Sequence, residues 1–364
     1  MRILQIAPLW ETVPPPAYGG TEAVVHLLVE ELVSQGHDVT LCASGDSRTS
    51  ATLRASYPRS LRTAKEVVAK DLLSWHHAAL SMAAARDYDI VHNHAGEQIM
   101  ALRHLVPDVP MLTTMHCLIT PDTKLVWDQY TGHYNAISWA QRRTMPDVSG
   151  DFASVVYNAI DVRSFPFRQD DDGYLLFLSR ISPEKGPHIA VEVALRTGYP
   201  LVMAGKVDPV DAAFFRDTVE PLIDGSRIRF VGEADSRTKR ALYRDAHALL
   251  MPITWDEPFG LVLAEAQACG TPVITFDRGA AAEIVSHQRT GFVVSDVDAM
   301  SEAVPLVKEI DPARCREHVE SHFDGPIMAR NYLRVYQSII EDRPLARTVP
   351  APQLPDARRS TQVA

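Results

Sequence analysis

Short runs of β-branched and aromatic residues alternate with helix-period segments along almost the whole chain, and that alternation admits few folds. Strands of a parallel sheet are buried on both faces, so they read as near-continuous apolar runs, and each needs a crossover helix to bring the chain back. In the first half the predicted strands are Ile3–Ala7, Val39–Ala43, Asp89–His92, Met111–Thr114, Asn135–Ser138 and Ser154–Tyr157. A helix from about Thr21 to Gln35 separates the first two, with Val24, Val25, Leu28, Leu32 and Val33 on its apolar side and Gly36 as its stop. A second series follows: Tyr174–Ser179, Pro200–Ala204, Ile228–Val231, Ala248–Met251, Pro272–Phe276 and Gly291–Val294. The expected fold class is α/β, with two Rossmann-like, doubly wound parallel-sheet domains in tandem.

Length agrees, because 364 residues exceeds the roughly 250–300 at which one core stops growing and a chain divides into two domains. The stretch Arg163 to Gly173 holds Pro166, the acidic run Asp170–Asp172 and a glycine, as an exposed linker would. The expected domains are therefore 1–165 and 166–322. Met328, Tyr332, Leu333, Val335, Tyr336, Ile339 and Ile340 recur at helical spacing, which predicts a closing helix over 323–342. Prolines, charges and small polar residues over 343–364 predict a flexible tail.

Composition excludes several classes. A net charge of −10 argues against a nucleic-acid partner. No apolar run reaches the roughly 18 residues that span a bilayer, and the N-terminus lacks the shape of a signal peptide, so a cytoplasmic protein is expected. Cys42, Cys117, Cys269 and Cys315 form no C-x-x-C pair. His92, His94 and His116 sit near strand ends without an informative third ligand, so no metal is expected. At a strand's carboxyl end, His116 is placed to touch a substrate.

Three motifs carry chemistry. Met251 to Pro272 reads as a strand, a loop and a helix beginning at Pro258, whose missing N–H costs nothing in a first turn. The free N–H groups at Phe259, Gly260 and Leu261 would then form an anion seat. Glu257 and Glu265 bracket that helix, about 12 Å apart along its axis at 1.5 Å per residue. That is about the span of a nucleotide sugar, and carboxylates accept from sugar and ribose hydroxyls well. Ser179-Arg180-Ile-Ser-Pro-Glu-Lys185-Gly186 follows the first strand of the second series, where Arg180 and Lys185 can neutralise a diphosphate. Tyr18-Gly19-Gly20-Thr21-Glu22 opens the first helix, and its glycines let a ligand approach backbone N–H groups. It is not G-x-G-x-x-G, which disfavours a nicotinamide oxidoreductase.

Together these residues resemble the large retaining glycosyltransferase family 4, of the GT-B fold, over roughly residues 1 to 342. The most specific element is E-x7-E, here Glu257 to Glu265 around Pro258-Phe259-Gly260. Further matches are Gly19-Gly20, Asp89-Ile-Val-His-Asn-His94, Thr113-Thr-Met-His116 and Tyr157-Asn158-Ala-Ile-Asp161. The resemblance implies two domains facing a cleft, the last helix returning to the first domain, and metal-independent transfer of a hexose from a nucleotide diphosphate sugar, best guess UDP-glucose. The hydroxyl acceptor would be a saccharide, a lipid-linked molecule or a small molecule, met by the first domain, with peripheral membrane contact if it is lipid-linked.

By the same resemblance Arg180 and Lys185 would hold the diphosphate, and Glu265 the ribose. Glu257 with the Phe259, Gly260 and Leu261 backbone would hold the sugar, and the backbone of Val231, Gly232 and Glu233 would meet the base. His116 would lie by the reacting sugar and Gly20 near the phosphates or acceptor. Gly279-Ala-Ala-Ala-Glu283 departs from the family pattern and leaves Glu283 as a base-loop or helix-cap residue. A sugar phosphorylase, a nucleotide-sugar epimerase or a non-catalytic nucleotide-sugar binder on the same fold would share the seat.

Overall fold

In the computed structural model, which describes residues 1–16 and 19–342, the apolar runs form two wholly parallel sheets. The predicted tail and Tyr18 lie outside the described residues. The first sheet holds β1 (Arg2–Ile6), β2 (Asp38–Ala43), β3 (Thr52–Ala55), β4 (Ile90–Asn93), β5 (Met111–Met115), β6 (His133–Ala136) and β7 (Asp151–Val155), in the order β3-β2-β1-β4-β5-β6-β7. The second holds β8 (Tyr174–Leu178), β9 (Leu201–Ala204), β10 (Ile228–Phe230), β11 (Ala246–Met251), β12 (Val273–Phe276) and β13 (Gly291–Val294), in the order β10-β9-β8-β11-β12-β13. In each, the chain starts in the middle, winds outward and then crosses over, so the strand order reverses beside β1 and beside β8. Crevices at such reversals are where doubly wound sheets take ligands.

Burial explains why the strands were legible: every residue of β5, β8, β9 and β12 is buried. Strand β3 was not expected. It is an edge strand whose four residues are exposed or half-buried, so it carries no apolar run.

The first helix spans Gly20–Ser34 and packs Val24, Val25, Leu28 and Leu32 into the core of the first sheet. The closing helix spans Gly325–Ile340 and joins that same core through Met328, Ala329, Tyr332, Val335, Tyr336 and Ile339. It is led back by Ile160, whose N–H donates to the Phe323 carbonyl at 2.9 Å and whose carbonyl accepts from Gly325 N–H at 3.2 Å. The helices pack closely there: a Cβ on Gly325 would stand 2.8 Å from Leu27 Cδ1, which would have to turn aside. The last helix of the chain thus completes the first sheet's core.

Glu283 makes a second bond between the two halves. Its carboxylate caps the helix Trp139–Thr144 of the first half, accepting from Trp139 N–H at 2.9 Å and Ala140 N–H at 2.5 Å. It also accepts from the Tyr157 hydroxyl at 2.8 Å. Of the two roles left open for Glu283, the structure shows the helix cap.

Candidate functional site

A cleft of about 660 Å³ lies between the sheets, lined by residues of both. From the first half come Gly19, Gly20, Glu22, His116 and Asn158; from the second come Arg180, Lys185, Glu233, Glu257, Gly260 and Glu265. Two helix N-termini open onto it, that of Gly20–Ser34 and that of Leu261–Ala268. They nearly touch, because a Cβ on Gly20 would lie 3.4 Å from Leu261 Cδ1. Each end carries unpaired N–H groups and the positive end of a helix dipole, so the space between them favours an anion.

The seat helix begins later than the sequence suggested. Pro258 and Phe259 precede it, Gly260 is its N-cap at φ 85°, and Leu261 is its first residue. The reason is Phe259, which is 2% exposed and packs into the second core. Driving that ring inward bends the chain, and glycine follows because φ is positive. Glu257 therefore lies outside the helix, and the 12 Å axial spacing inferred for the two glutamates does not apply. Phe259, Gly260 and Leu261 all line the cleft, whereas the Leu263 N–H is already donated to the Gly260 carbonyl at 3.0 Å.

Two cations flank the seat. Arg180 follows β8 and donates from Nη2 to Glu184 at 2.5 Å. Its Nε and the Asn158 Oδ1 are buried without a hydrogen-bond partner among the described residues. Lys185 ends a short helical turn, Pro183–Lys185, and meets Glu257 Oε2, with its Nζ 4.8 Å from the Trp255 ring centre. Trp255 Nε1 donates to the same carboxylate oxygen at 3.2 Å. Gly186 turns the chain away at φ 74°, and a Cβ there would sit 2.3 Å from the Pro252 carbonyl oxygen.

Deeper in the second half, Glu265 is 8% exposed, and each of its oxygens has one side-chain partner. It accepts from Lys239 Nζ at 2.6 Å and from the Tyr243 hydroxyl at 2.9 Å. Burial, and then the Glu265 charge, pushes the Tyr243 phenol well above its ordinary value, so it remains a donor. Lys239 and Tyr243 stand four residues apart on the helix Ser236–Asp245, hence on one face. Gly205 and Lys206, after β9, also line the cleft. A Cβ on Gly205 would stand 1.7 Å from the Ser179 carbonyl oxygen.

Sequence reasoning missed these last four residues. Ala204-Gly205-Lys206 at a strand's carboxyl end was a readable signal. Lys239 and Tyr243 lie in the charge-rich stretch Ser236–Asp245, where no motif marks a site. Of the expected site residues, Val231 and Gly232 do not line the cleft, and Val231 is 48% exposed. Gly232 instead accepts the Gly205 N–H at 2.9 Å through its carbonyl, holding the loop that carries Glu233. Among the described residues no group of three His, Cys, Asp or Glu side chains is arranged to hold a metal ion.

Two family models divide the chain between them: Glycosyltransferase Family 4 matches residues 18–163 and Glycosyl transferases group 1 matches 161–318. The chain belongs to glycosyltransferase family 4. This glycosyltransferase is 28% identical to the glycogen synthase of Mycobacterium tuberculosis, over 92% of this chain and 94% of that protein. It is 27% identical to the phosphatidyl-myo-inositol mannosyltransferase of Mycolicibacterium smegmatis, over 93% and 94%. HepE of Anabaena, solved in complex with UDP, superposes with a TM-score of 0.70 at 17% identity, covering 93% of this chain and 100% of that one. The fold is GT-B, and the enzyme moves a sugar from a nucleotide sugar. No helix among the described residues is long and apolar enough to cross a membrane.

Histidine burial gives this glycosyltransferase a pH signature. Burial holds His92 and His94 well below the ordinary imidazole value and His116 at about 4. Unfolded histidines take up protons near pH 6.5 while these resist, so the unfolded state binds more protons below that pH. Stability is then level above about pH 6.5 and falls as pH drops below it, because the unfolded chain gains protons that the buried histidines do not. Urea titrations should show a lower midpoint at pH 5 than at pH 7.5 with an unchanged slope; equal midpoints would contradict this account.

Proposed function

We propose that this enzyme transfers a hexose from UDP-glucose, with retention and without a divalent ion, to a hydroxyl of a saccharide, lipid-linked or small-molecule acceptor. One observation carries the reading: two helix amide ends, Arg180 and Lys185 converge on a single cleft whose deep end presents Glu265. That is a set of donors for a diphosphate beside an acceptor for a ribose diol. UDP is favoured because HepE is found with UDP, and glucose follows family frequency. A lipid-linked acceptor would place the first domain against a membrane surface.

In this reading the bond from C1 to the diphosphate oxygen breaks first, and the anomeric carbon gains oxocarbenium character. The acceptor oxygen attacks C1 from the face being vacated, and its proton passes to the departing phosphate oxygen. Arg180, Lys185 and the helix ends stabilise charge as it develops on the leaving group, without needing to reorganise. Glu257, held by Lys185 and Trp255, positions sugar hydroxyls. Glu265, with a lone pair left on each oxygen, accepts from the ribose hydroxyls alongside Lys239 and Tyr243. Closure of the halves excludes water.

The test is to screen UDP-glucose, UDP-galactose, UDP-N-acetylglucosamine and GDP-mannose for protein-dependent nucleotide release, in EDTA, and to read the product's anomeric configuration by proton NMR. UDP-glucose should release fastest and give the α-configured product. Release that requires added Mg²⁺, an inverted product, or no release from any donor would each defeat the corresponding part of the proposal.

A further inference from the structure

Behind the cleft wall a file of hydrogen bonds runs through the first sheet to the closing helix, and its direction is fixed at the far end. Asn135 donates from Nδ2 to the Ala136 backbone carbonyl at 3.3 Å, a group that can only accept. Asn135 Oδ1 therefore faces Thr114, whose hydroxyl donates to it at 2.7 Å. Thr114 has then spent its proton, and its oxygen accepts from His92 Nε2 at 2.6 Å. The Tyr332 hydroxyl accepts from Asn135 Nδ2 at 3.3 Å and donates to Thr114 at 3.1 Å, which agrees with the same direction.

The rest follows link by link. A neutral His92 protonated on Nε2 has a lone pair on Nδ1, which accepts from the Tyr336 hydroxyl at 2.6 Å. The Tyr336 oxygen accepts from Gln5 Nε2 at 3.0 Å, and Gln5 Oε1 accepts from His94 Nε2 at 2.9 Å. His94 Nδ1 is then the acceptor for His116 Nε2, also at 2.9 Å. Gln5, His92 and Tyr336 are fully buried, and His94 is 4% exposed, so water cannot offer the file other partners. Burial also disfavours a charged ring at each histidine. At the near end His116 lines the cleft, and its Nδ1 has no protein partner among the described residues.

We propose that Gln5, His92, His94 and Tyr336 are positioning residues that hold His116 as its Nε2-protonated tautomer, so that Nδ1 is kept as a hydrogen-bond acceptor for a hydroxyl of the bound sugar. The identity of that hydroxyl rests on the donor reading above, whereas the tautomer does not. The closing helix thereby reaches the reacting sugar through Tyr336 without touching it.

The first measurement is a long-range ¹H–¹⁵N correlation spectrum of the full chain with ¹⁵N-labelled histidine, at pH 7.5 and without substrate. His92, His94 and His116 should each show the Nε2–H pattern; His116 protonated on Nδ1, or on both nitrogens, overturns the proposal. The second is Tyr336→Phe, which removes the proton that His92 Nδ1 accepts and frees the Gln5 amide to turn over. His116 should then show mixed tautomers, and kcat/KM for the donor should fall about five- to tenfold, the worth of one neutral hydrogen bond. In a His116→Ala background the same change should have no effect on turnover. An equal loss in both backgrounds would mean Tyr336 only supports the fold, and the proposal fails. If Tyr336→Phe does not fold, the wild-type spectrum decides alone, and if no nucleotide sugar is turned over, the donor reading fails while the tautomer is still measured.

Discussion

Lys185→Ala is expected to lower kcat about a hundredfold or more, the loss typical of one preorganised donor removed from a developing negative charge. The ammonium stands on the Trp255 ring and against Glu257, with 12% of its side chain exposed. It is therefore placed before any substrate arrives, and its charge acts in a poorly solvated site. The variant also leaves Glu257 with Trp255 Nε1 as its remaining side-chain partner. Some loss of stability should accompany the kinetic one, because a largely buried carboxylate is left uncompensated. Steady-state kinetics with the best donor, alongside thermal melting, separate the two effects. A folded variant with kcat within threefold of wild type would remove Lys185 from the mechanism.

Gly279→Ala should be nearly as damaging, although Gly279 is not among the residues lining the cleft. Its φ is +56°, and an added Cβ would stand 2.3 Å from both the backbone N and O of Glu257. The Glu257 carbonyl also accepts from Ala280 N–H at 2.8 Å. The methyl group cannot be absorbed by a flexible side chain, so the strand-end loop carrying Glu257 must move, and the left-handed conformation adds about 1–2 kcal/mol of strain. A displacement near 1 Å at a positioning group costs about a hundredfold in rate. The expected result is a comparable fall in kcat/KM with a smaller effect on folding. Wild-type kinetics in this variant would show that the backbone contact does not set the place of Glu257.

These two residues also mark the limits of reading the sequence. Lys185 was legible because Ser179 to Gly186 follows an apolar run and precedes a helix, and ligands of such sheets lie beyond strand ends. Gly279 was noticed only as a departure from a pattern, since the contact that requires it comes from a loop some twenty residues earlier. Parallel strands showed themselves wherever both faces are buried, and β3 hid because an edge strand has no such need. The seat helix was displaced by three residues because Pro258 suits a first turn, while the burial of Phe259 that overrules it belongs to tertiary packing. Lys239 and Tyr243 share this fate: their helix reads as a polar surface, and only the packed second half brings them to Glu265. Histidines 92, 94 and 116 were placed near strand ends from sequence, but the bonds joining them cross neighbouring strands.

The return of the closing helix sets the order in which the molecule can be built. During synthesis the second sheet has all its strands once residue 294 is made, whereas the first sheet, translated earlier, still lacks Met328, Tyr332 and Tyr336 from its core. Domains commonly fold as they emerge, N-terminal first. Here the lobe encoded first is finished last. Until residue 340 has been made, the polar groups of Gln5, His92, Thr114 and Asn135 lack the two tyrosine hydroxyls that pair with them in the finished fold.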